Sequence, residues 1–222
     1  KMLRTRKRPL PSKVIKKNEA LGIAIFLSFI SVYVMALTVS YYAAAFLAFS
    51  IFFYVVIYTM WLKPRTKYNI VIGGAAGAFP PAIGWLSVTG SLDVLPFLMF
   101  LIIFMWTPPH FWALSLYCLK DYKTAGFPML PVVSGIKKTK EQIVIYSILM
   151  FLITLIPFIL GYFGMVYLFS SLILGLYFIF HSFKVYFDKG AENKSIKMFL
   201  YSIIYLYFLF LSMIIDHLGL FN

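Results

Sequence analysis

The sequence has 222 residues, of which 62% are hydrophobic, 20% aromatic and only 12% charged, with a mean hydropathy of +0.90. A chain of this length cannot hide so much apolar surface in one water-soluble core, so soluble and disordered classes are excluded and a lipid bilayer is the expected solvent. The net charge of +13 does not point to nucleic acid. A basic nucleic-acid patch lies on the water-facing side of a soluble fold, whereas these charges fall only between apolar runs. The single cysteine, Cys118, has no internal partner for a disulfide and is expected to be a buried, inert thiol.

The chain opens with KMLRTRKRPLPSKVIKKNE, carrying eight Lys or Arg and one Glu. Because it starts at Lys1, it is expected to be a fragment of a longer protein. Arg4 and Arg8 are four apart, and Pro9 and Pro11 stiffen the chain directly after them, so two guanidinium forks are set to face one anion. Planar donors that take two oxygens at once suit phosphate. Apolar runs long enough to cross a hydrocarbon core, which takes about 20 residues, lie at 20–38, 41–61, 69–90, 94–116, 143–162, 164–183 and 198–217. The expected fold is all-α, a polytopic membrane helix bundle with about seven transmembrane helices in this fragment. No run reads as a cleavable signal peptide, since the basic head is long and a second apolar run comes directly after the first.

Every Lys and Arg of the chain lies in segments 1–19, 62–68, 117–142 or 184–197, and the alternate connections hold none. The positive-inside rule then puts the N-terminus and the basic loops in the cytoplasm and the C-terminus outside. For most of these cations, Lys184, Lys189 and Lys194 among them, setting the orientation is a sufficient role.

Between the second and third runs, YTMWLKPRTKYN places Tyr58, Lys63, Arg65, Thr66 and Asn69 at one short turn on the membrane surface. Two cations and three hydrogen-bonding side chains there would cradle a diphosphate; an interfacial aromatic belt with snorkelling cations is the plainer alternative. The third run carries a Gly73 to Gly77 GxxxG spacing, a helix-packing signal, and then Pro80 and Pro81. The fourth carries Pro108 and Pro109. Proline lacks the N–H donor and disfavours helix before it, so both runs are expected to be broken helices walling an internal chamber.

After the second proline pair, His110, Leu114, Tyr117 and Asp121 fall at helical spacing on one face, with Asp121 about 16 Å along the axis from His110 at ~1.5 Å per residue. The segment AGFPML beyond them is apolar yet punctuated by Gly126 and Pro128, which suits an ordered lid. Glu19, Asp93, Glu141, Asp188, Glu192 and Asp216 sit at run ends and are expected to be solvated. Asp121 lies opposite two basic clusters, where a magnesium ion shared with substrate phosphates would need a carboxylate. His110 alone reads more readily as a satisfied buried histidine than as a catalytic one.

RTRKRPLP, YTMWLKPRTKYNIVIGGAAGAFPPAIGW and WTPPHFWALSLYCLKDYKTAGFPMLP, in that order, resemble the motifs of the membrane-embedded UbiA-type prenyltransferases, and among them the branch that farnesylates protohaem IX. The similarity is dense over residues 1 to about 135 and extends later only in character. The resemblance implies a membrane prenyltransferase that moves a farnesyl group from farnesyl diphosphate to a vinyl group of protohaem IX, giving haem O, with Mg²⁺ as cofactor. It further implies a nine-helix bundle in a bacterial inner membrane, with the active site on the cytoplasmic side. By that resemblance residues 1–222 form a single transmembrane domain lacking the first two helices. Arg4, Arg8, Asp121 and His110 match catalytic positions, with Asp121 holding Mg²⁺ through the diphosphate. Tyr58, Lys63, Arg65, Thr66, Asn69 and Tyr122 match substrate-binding positions.

The chain departs from the family pattern in two places. The family's first aspartate-rich motif would fall just before Lys1, so this stretch alone is expected to be inactive and to hold Mg²⁺ poorly. Relatives that prenylate aromatic rings have paired aspartates where Tyr117 and Ala125 flank Asp121 here. A 4-hydroxybenzoate-type polyprenyltransferase is therefore the nearer rival reading. A noncatalytic haem-binding protein would leave the phosphate-suited loops unexplained, and a transporter would need ionisable residues in mid-span that the chain lacks.

Overall fold

The computed structural model describes residues 5–190 and 192–219. Among them the chain forms nine helices: α1 (Lys17–Thr38), α2 (Tyr41–Arg65), α3 (Asn69–Thr89), α4 (Val94–Tyr117), the short α5 (Leu119–Ala125) and α6 (Leu130–Val133), then α7 (Gly135–Ile159), α8 (Met165–Phe187) and α9 (Asn193–His217). Seven of them, all but α5 and α6, are long and apolar enough to cross a membrane. They match the seven expected runs, because in a bilayer each backbone N–H and C=O must be paired within its own segment and a helix does this.

The long helix α4 organises the bundle. It packs against α3 on one side and against α7 and α9 on the other, while α1 rests on α2, α2 on α3, and α8 closes on α7 and α9. Ile102, Trp112 and Leu116 of α4 join Met150 of α7, Phe178 of α8 and Tyr205 of α9 in the core. Small polar residues let these helices approach: Ser115, Ser147, Ser171, Ser182 and Ser202 are all buried. Each returns its hydroxyl proton to a carbonyl three or four residues earlier, so none of these five hydroxyls is left bare in the apolar interior. Many Leu, Ile and Phe side chains remain exposed on the outside, as lipid-facing surfaces require.

The proline pairs do not break their helices. α3 runs unbroken through Pro80 and Pro81, and α4 through Pro108 and Pro109. Neighbouring packing overrides the local cost. Phe79, beside the first pair, sits among the rings of Phe46, Phe49, Phe53 and Phe100 at centroid distances of 5.4–5.8 Å. Pro108 and Pro109 are buried, and the neighbouring Thr107 bonds back to the Ile103 carbonyl at 2.8 Å. Of the expected GxxxG pair only Gly73 makes a close contact, and Gly74 takes the place of Gly77. A side chain on Gly73 would collide with the Tyr58 ring, and one on Gly74 would crowd Thr107 at 3.0 Å, whereas one on Gly77 would meet nothing. The close approach to α2 and α4 is made by Gly73 and Gly74.

The expected face from His110 to Asp121 is interrupted as well. α4 ends at Tyr117, Cys118 takes a non-helical conformation, and Asp121 belongs to the separate helix α5. Cys118 is buried, as expected. Asp216 departs from the solvated role: it is buried, and its carboxylate accepts the N–H groups of Gly164 and Tyr167, capping the start of α8 from α9.

Candidate active site

Three segments meet over one cavity of about 690 Å³. The first is the turn-rich stretch after Thr5, where Ser12 N–H donates to the Arg8 carbonyl at 2.9 Å, its hydroxyl donates to the same carbonyl at 2.7 Å, and Val14 N–H reaches the Pro9 carbonyl at 3.0 Å. These bonds fold Arg8, Pro9 and Leu10 over the cavity rather than leaving them in a tail. The second is the end of α2. The third runs from α5 through the lid beyond it.

The end of α2 is wound as a π-helix from Phe53 to Leu62. The Thr59 hydroxyl donates to the Tyr54 carbonyl five residues back at 2.7 Å. This wider winding is the kind of irregularity that recurs at functional sites. It carries Tyr58 over the bare backbone of Gly73 and into the cavity wall. The Lys63 ammonium stands 5.9 Å from the Tyr58 ring centroid and 5.7 Å from that of Phe127, within cation–π range of both.

The lid is ordered. Gly126 adopts φ +73°, a left-handed conformation that glycine takes without the Cβ penalty. Phe127 N–H then bonds to the Tyr122 carbonyl at 3.2 Å and Met129 N–H to the Phe127 carbonyl at 2.8 Å. Phe127 and Met129 thereby join Tyr122 in the lining. Lys67 donates to the Ser134 hydroxyl at 3.1 Å, tying the far end of the lid to the basic turn between α2 and α3.

Of the residues singled out from sequence, Arg8, Tyr58, Lys63 and Tyr122 line this cavity together. Arg4 lies outside the described residues. Asp121 immediately precedes Tyr122 on the half-buried first turn of α5 but does not itself line the cavity. Arg65 is turned away: its Nη1 donates to the Met60 and Trp61 carbonyls at 3.2 and 3.3 Å, so it caps the end of α2. Thr66 shapes the turn by accepting the Tyr68 N–H at 3.2 Å. Asn69 is fully buried beside Ile70, a lining residue; its Nδ2 donates to the Thr66 carbonyl at 2.6 Å and its Oδ1 has no partner. A buried oxygen without a donor is costly and marks a place where a further polar group fits.

His110 is buried one residue from Phe111, which does line the cavity, but its ring belongs to the interface with α9. It stacks between Trp106 and Phe199 at centroid distances of 4.1 and 4.6 Å, and its Nδ1 lies 2.5 Å from the Ser202 hydroxyl. The same hydroxyl bonds to the Phe199 carbonyl. Ser202 thus ties the His110 ring to the backbone of α9, the direction of its bond to Nδ1 following the histidine tautomer. Sequence reasoning missed Ser202 as the partner of His110; it placed Phe127 and Met129 only within the lid, and Gly73 only as a helix-packing residue.

Among the described residues no three His, Cys, Asp or Glu side chains come together as a metal cage. A divalent ion would fit here only by sharing oxygens of a phosphorylated substrate, with Asp121 as the nearby carboxylate. That is a normal arrangement for Mg²⁺, which commonly uses one or two carboxylates plus phosphate oxygens.

A helical membrane bundle with a cationic, aromatic-walled cavity at its basic end defines the class of intramembrane prenyltransferases, and comparison with known proteins agrees. The fold matches the solved structure of a digeranylgeranylglyceryl phosphate synthase with a TM-score of 0.72, at 22% identity, over 96% of this chain and 75% of that one. The family model described as the UbiA prenyltransferase family matches residues 1–204, and the chain belongs to that family. Its relatives include proteins named protoheme IX farnesyltransferase. That of Rickettsia bellii is 49% identical over 95% of this chain and 70% of its own length, and that of Granulibacter bethesdensis 51% identical over 97% and 70%. The one from Novosphingobium aromaticivorans is 50% identical over 98% and 73%.

Proposed function

We propose that this protein is a prenyltransferase that moves a farnesyl group from farnesyl diphosphate to a vinyl group of protohaem IX, at the cytoplasmic face of a bacterial inner membrane. The observation that carries the reading is the convergence of Arg8 and Lys63, from separate segments, on one cavity with aromatic walls. The names of relatives near 50% identity supply the two substrates. The rival 4-hydroxybenzoate reading has neither that support nor the paired aspartates around Asp121.

Arg8 and Lys63 bind the diphosphate and offset its charge as the bond to the allylic carbon breaks and the electron pair leaves with the oxygen. The vinyl π electrons then form the new carbon–carbon bond, which leaves the adjoining vinyl carbon positive; a water molecule adds there and gives up a proton, leaving a hydroxyl in the product. In a cavity flanked by the lid and walled by apolar rings, fixed charges act strongly on developing charge. Tyr58 and Phe127 present ring faces suited to an allylic centre that becomes positive. Mg²⁺, held by Asp121 through the diphosphate, would supply further neutralisation of the leaving group. His110, its ring fixed by Ser202 between Trp106 and Phe199, belongs to the acceptor side, where it positions the porphyrin or binds its iron.

The test uses the protein expressed from its whole reading frame. Arg8→Ala and Asp121→Asn are each expected to lower haem O formation by about 30- to 1,000-fold, the equivalent of about 2–4 kcal/mol of transition-state stabilisation, with membrane insertion unchanged. Wild-type product formation by either variant removes that residue from the site. His110→Ala should lose haem binding while farnesyl diphosphate binding persists; the reverse pattern removes His110 from the acceptor side.

A further inference from the structure

Away from the active-site cavity, the cytoplasmic ends of α8 and α9 and the turn between them form a shallow, open hollow of about 600 Å³. Its walls are of two kinds. Phe180, Phe183 and Phe187 recur along the last turns of α8 as exposed rings, on the side a bilayer would cover. Lys184, Lys189 and Lys194 surround its water-side rim, with the Lys184 ammonium 4.1 Å from the Phe180 centroid.

The rim is unbalanced in charge. Asp188 is the only acid in the lining, and Glu192, the other acid of the turn, is drawn to Lys120 at 3.8 Å. Among the described residues none of the three rim lysines makes an ion pair. The turn is also held in place. Lys140 of α7 is buried, and its ammonium donates to the Asp188 and Gly190 carbonyls at 2.6 and 2.9 Å, satisfying the chain just past the end of α8. A buried cation thus fixes the backbone that bears an exposed one, Lys189.

We propose that this hollow is a binding site for one anionic phospholipid, with its phosphate among Lys184, Lys189 and Lys194 and an acyl chain along Phe180, Phe183 and Phe187. Orientation by the positive-inside rule requires only that the lysines lie on this side. It does not require three unpaired lysines to share one open hollow with a ladder of exposed rings, the pairing of charge and apolar surface that a lipid with its headgroup at the interface matches. Zwitterionic lipid matches the apolar wall equally well but leaves the three cations without net compensation, so the site discriminates by headgroup charge.

The test is native mass spectrometry of the purified protein titrated with phosphatidylglycerol or phosphatidylcholine of the same acyl chains. Wild type is expected to retain one phosphatidylglycerol at least tenfold more tightly than phosphatidylcholine. The variant Lys184→Gln/Lys189→Gln/Lys194→Gln should lose that preference, while Lys17→Gln/Lys137→Gln/Lys138→Gln, with the same charge removed elsewhere on the same surface, should keep it. Phe183→Ala/Phe187→Ala, which leaves the lysines intact, should weaken phosphatidylglycerol severalfold. Equal loss in both lysine variants, or no loss in the first, overturns the site. Displacement of the lipid by inorganic phosphate at the same concentration overturns the lipid assignment.

Discussion

Tyr58 occupies space that a side chain on residue 73 would need, so the glycine there and the ring in the cavity wall are one feature. Gly73→Ala must move either the ring or helix α3, and overpacking of this kind costs about 1–3 kcal/mol. The expected outcome is a loss of farnesyl transfer of about tenfold or more, while Gly77→Ala, whose added methyl meets nothing within 4 Å, leaves the rate unchanged. Equal rates for the two variants would remove Tyr58 from the wall of the active site. Residue types and spacing in the sequence exposed Tyr58, Lys63 and Arg8, because cations and aromatics cluster visibly there. They did not show that Arg65 spends its donors on Met60 and Trp61, since a cationic side chain near its own helix end has two attractive partners, carbonyl and phosphate. The isolated Oδ1 of Asn69 was equally invisible: it depends on which neighbours three-dimensional packing withholds.

At the scale of elements, the bilayer made the seven spanning helices legible, because an apolar run of about 20 residues has no other way to satisfy its backbone there. The proline pairs misled for the same reason that makes them tolerable. Their local cost is plain in sequence, whereas the rings around Phe79 and the helices flanking Pro108 and Pro109 come from distant segments. Asp216 obeys the same logic, appearing as a surface acid near the chain's end yet capping α8 across the bundle. Replacing it with Ala leaves the N–H groups of Gly164 and Tyr167 without their carboxylate. Hydrogen bonds to a charged group contribute about 1.5–3 kcal/mol each, so thermal unfolding should move down by several degrees with farnesyl diphosphate binding unchanged. An unaltered melting profile for Asp216→Ala would show that this cap does not hold α8 to α9.

For the whole molecule, α4 is the axis on which site and bundle depend together: it carries His110 against α9 and Phe111 into the cavity, and α5 with Tyr122 starts directly from its end. Every Lys and Arg among the described residues belongs to the connections and helix ends on the side of this cavity. Single cysteines replacing Lys63, Asp121 or Lys189 in a Cys118→Ala background should therefore react with impermeant labels from the cytoplasmic side, and one replacing Asp93 from the other. Labelling of Lys63 and Asp93 positions from the same side would contradict the topology. Arg8 and Lys63, on this reading, grip one diphosphate from two segments of the chain, and their effects on its binding are therefore coupled. The coupling is read from the affinity for farnesyl diphosphate of wild type, Arg8→Ala, Lys63→Ala and the double variant, titrated in lipid nanodiscs. Each single change should weaken binding by about tenfold or more, and the double change by less than the product of the two, as residues sharing one ligand couple. Wild-type affinity in both single variants, or losses that multiply as though the two sites were independent, would contradict it.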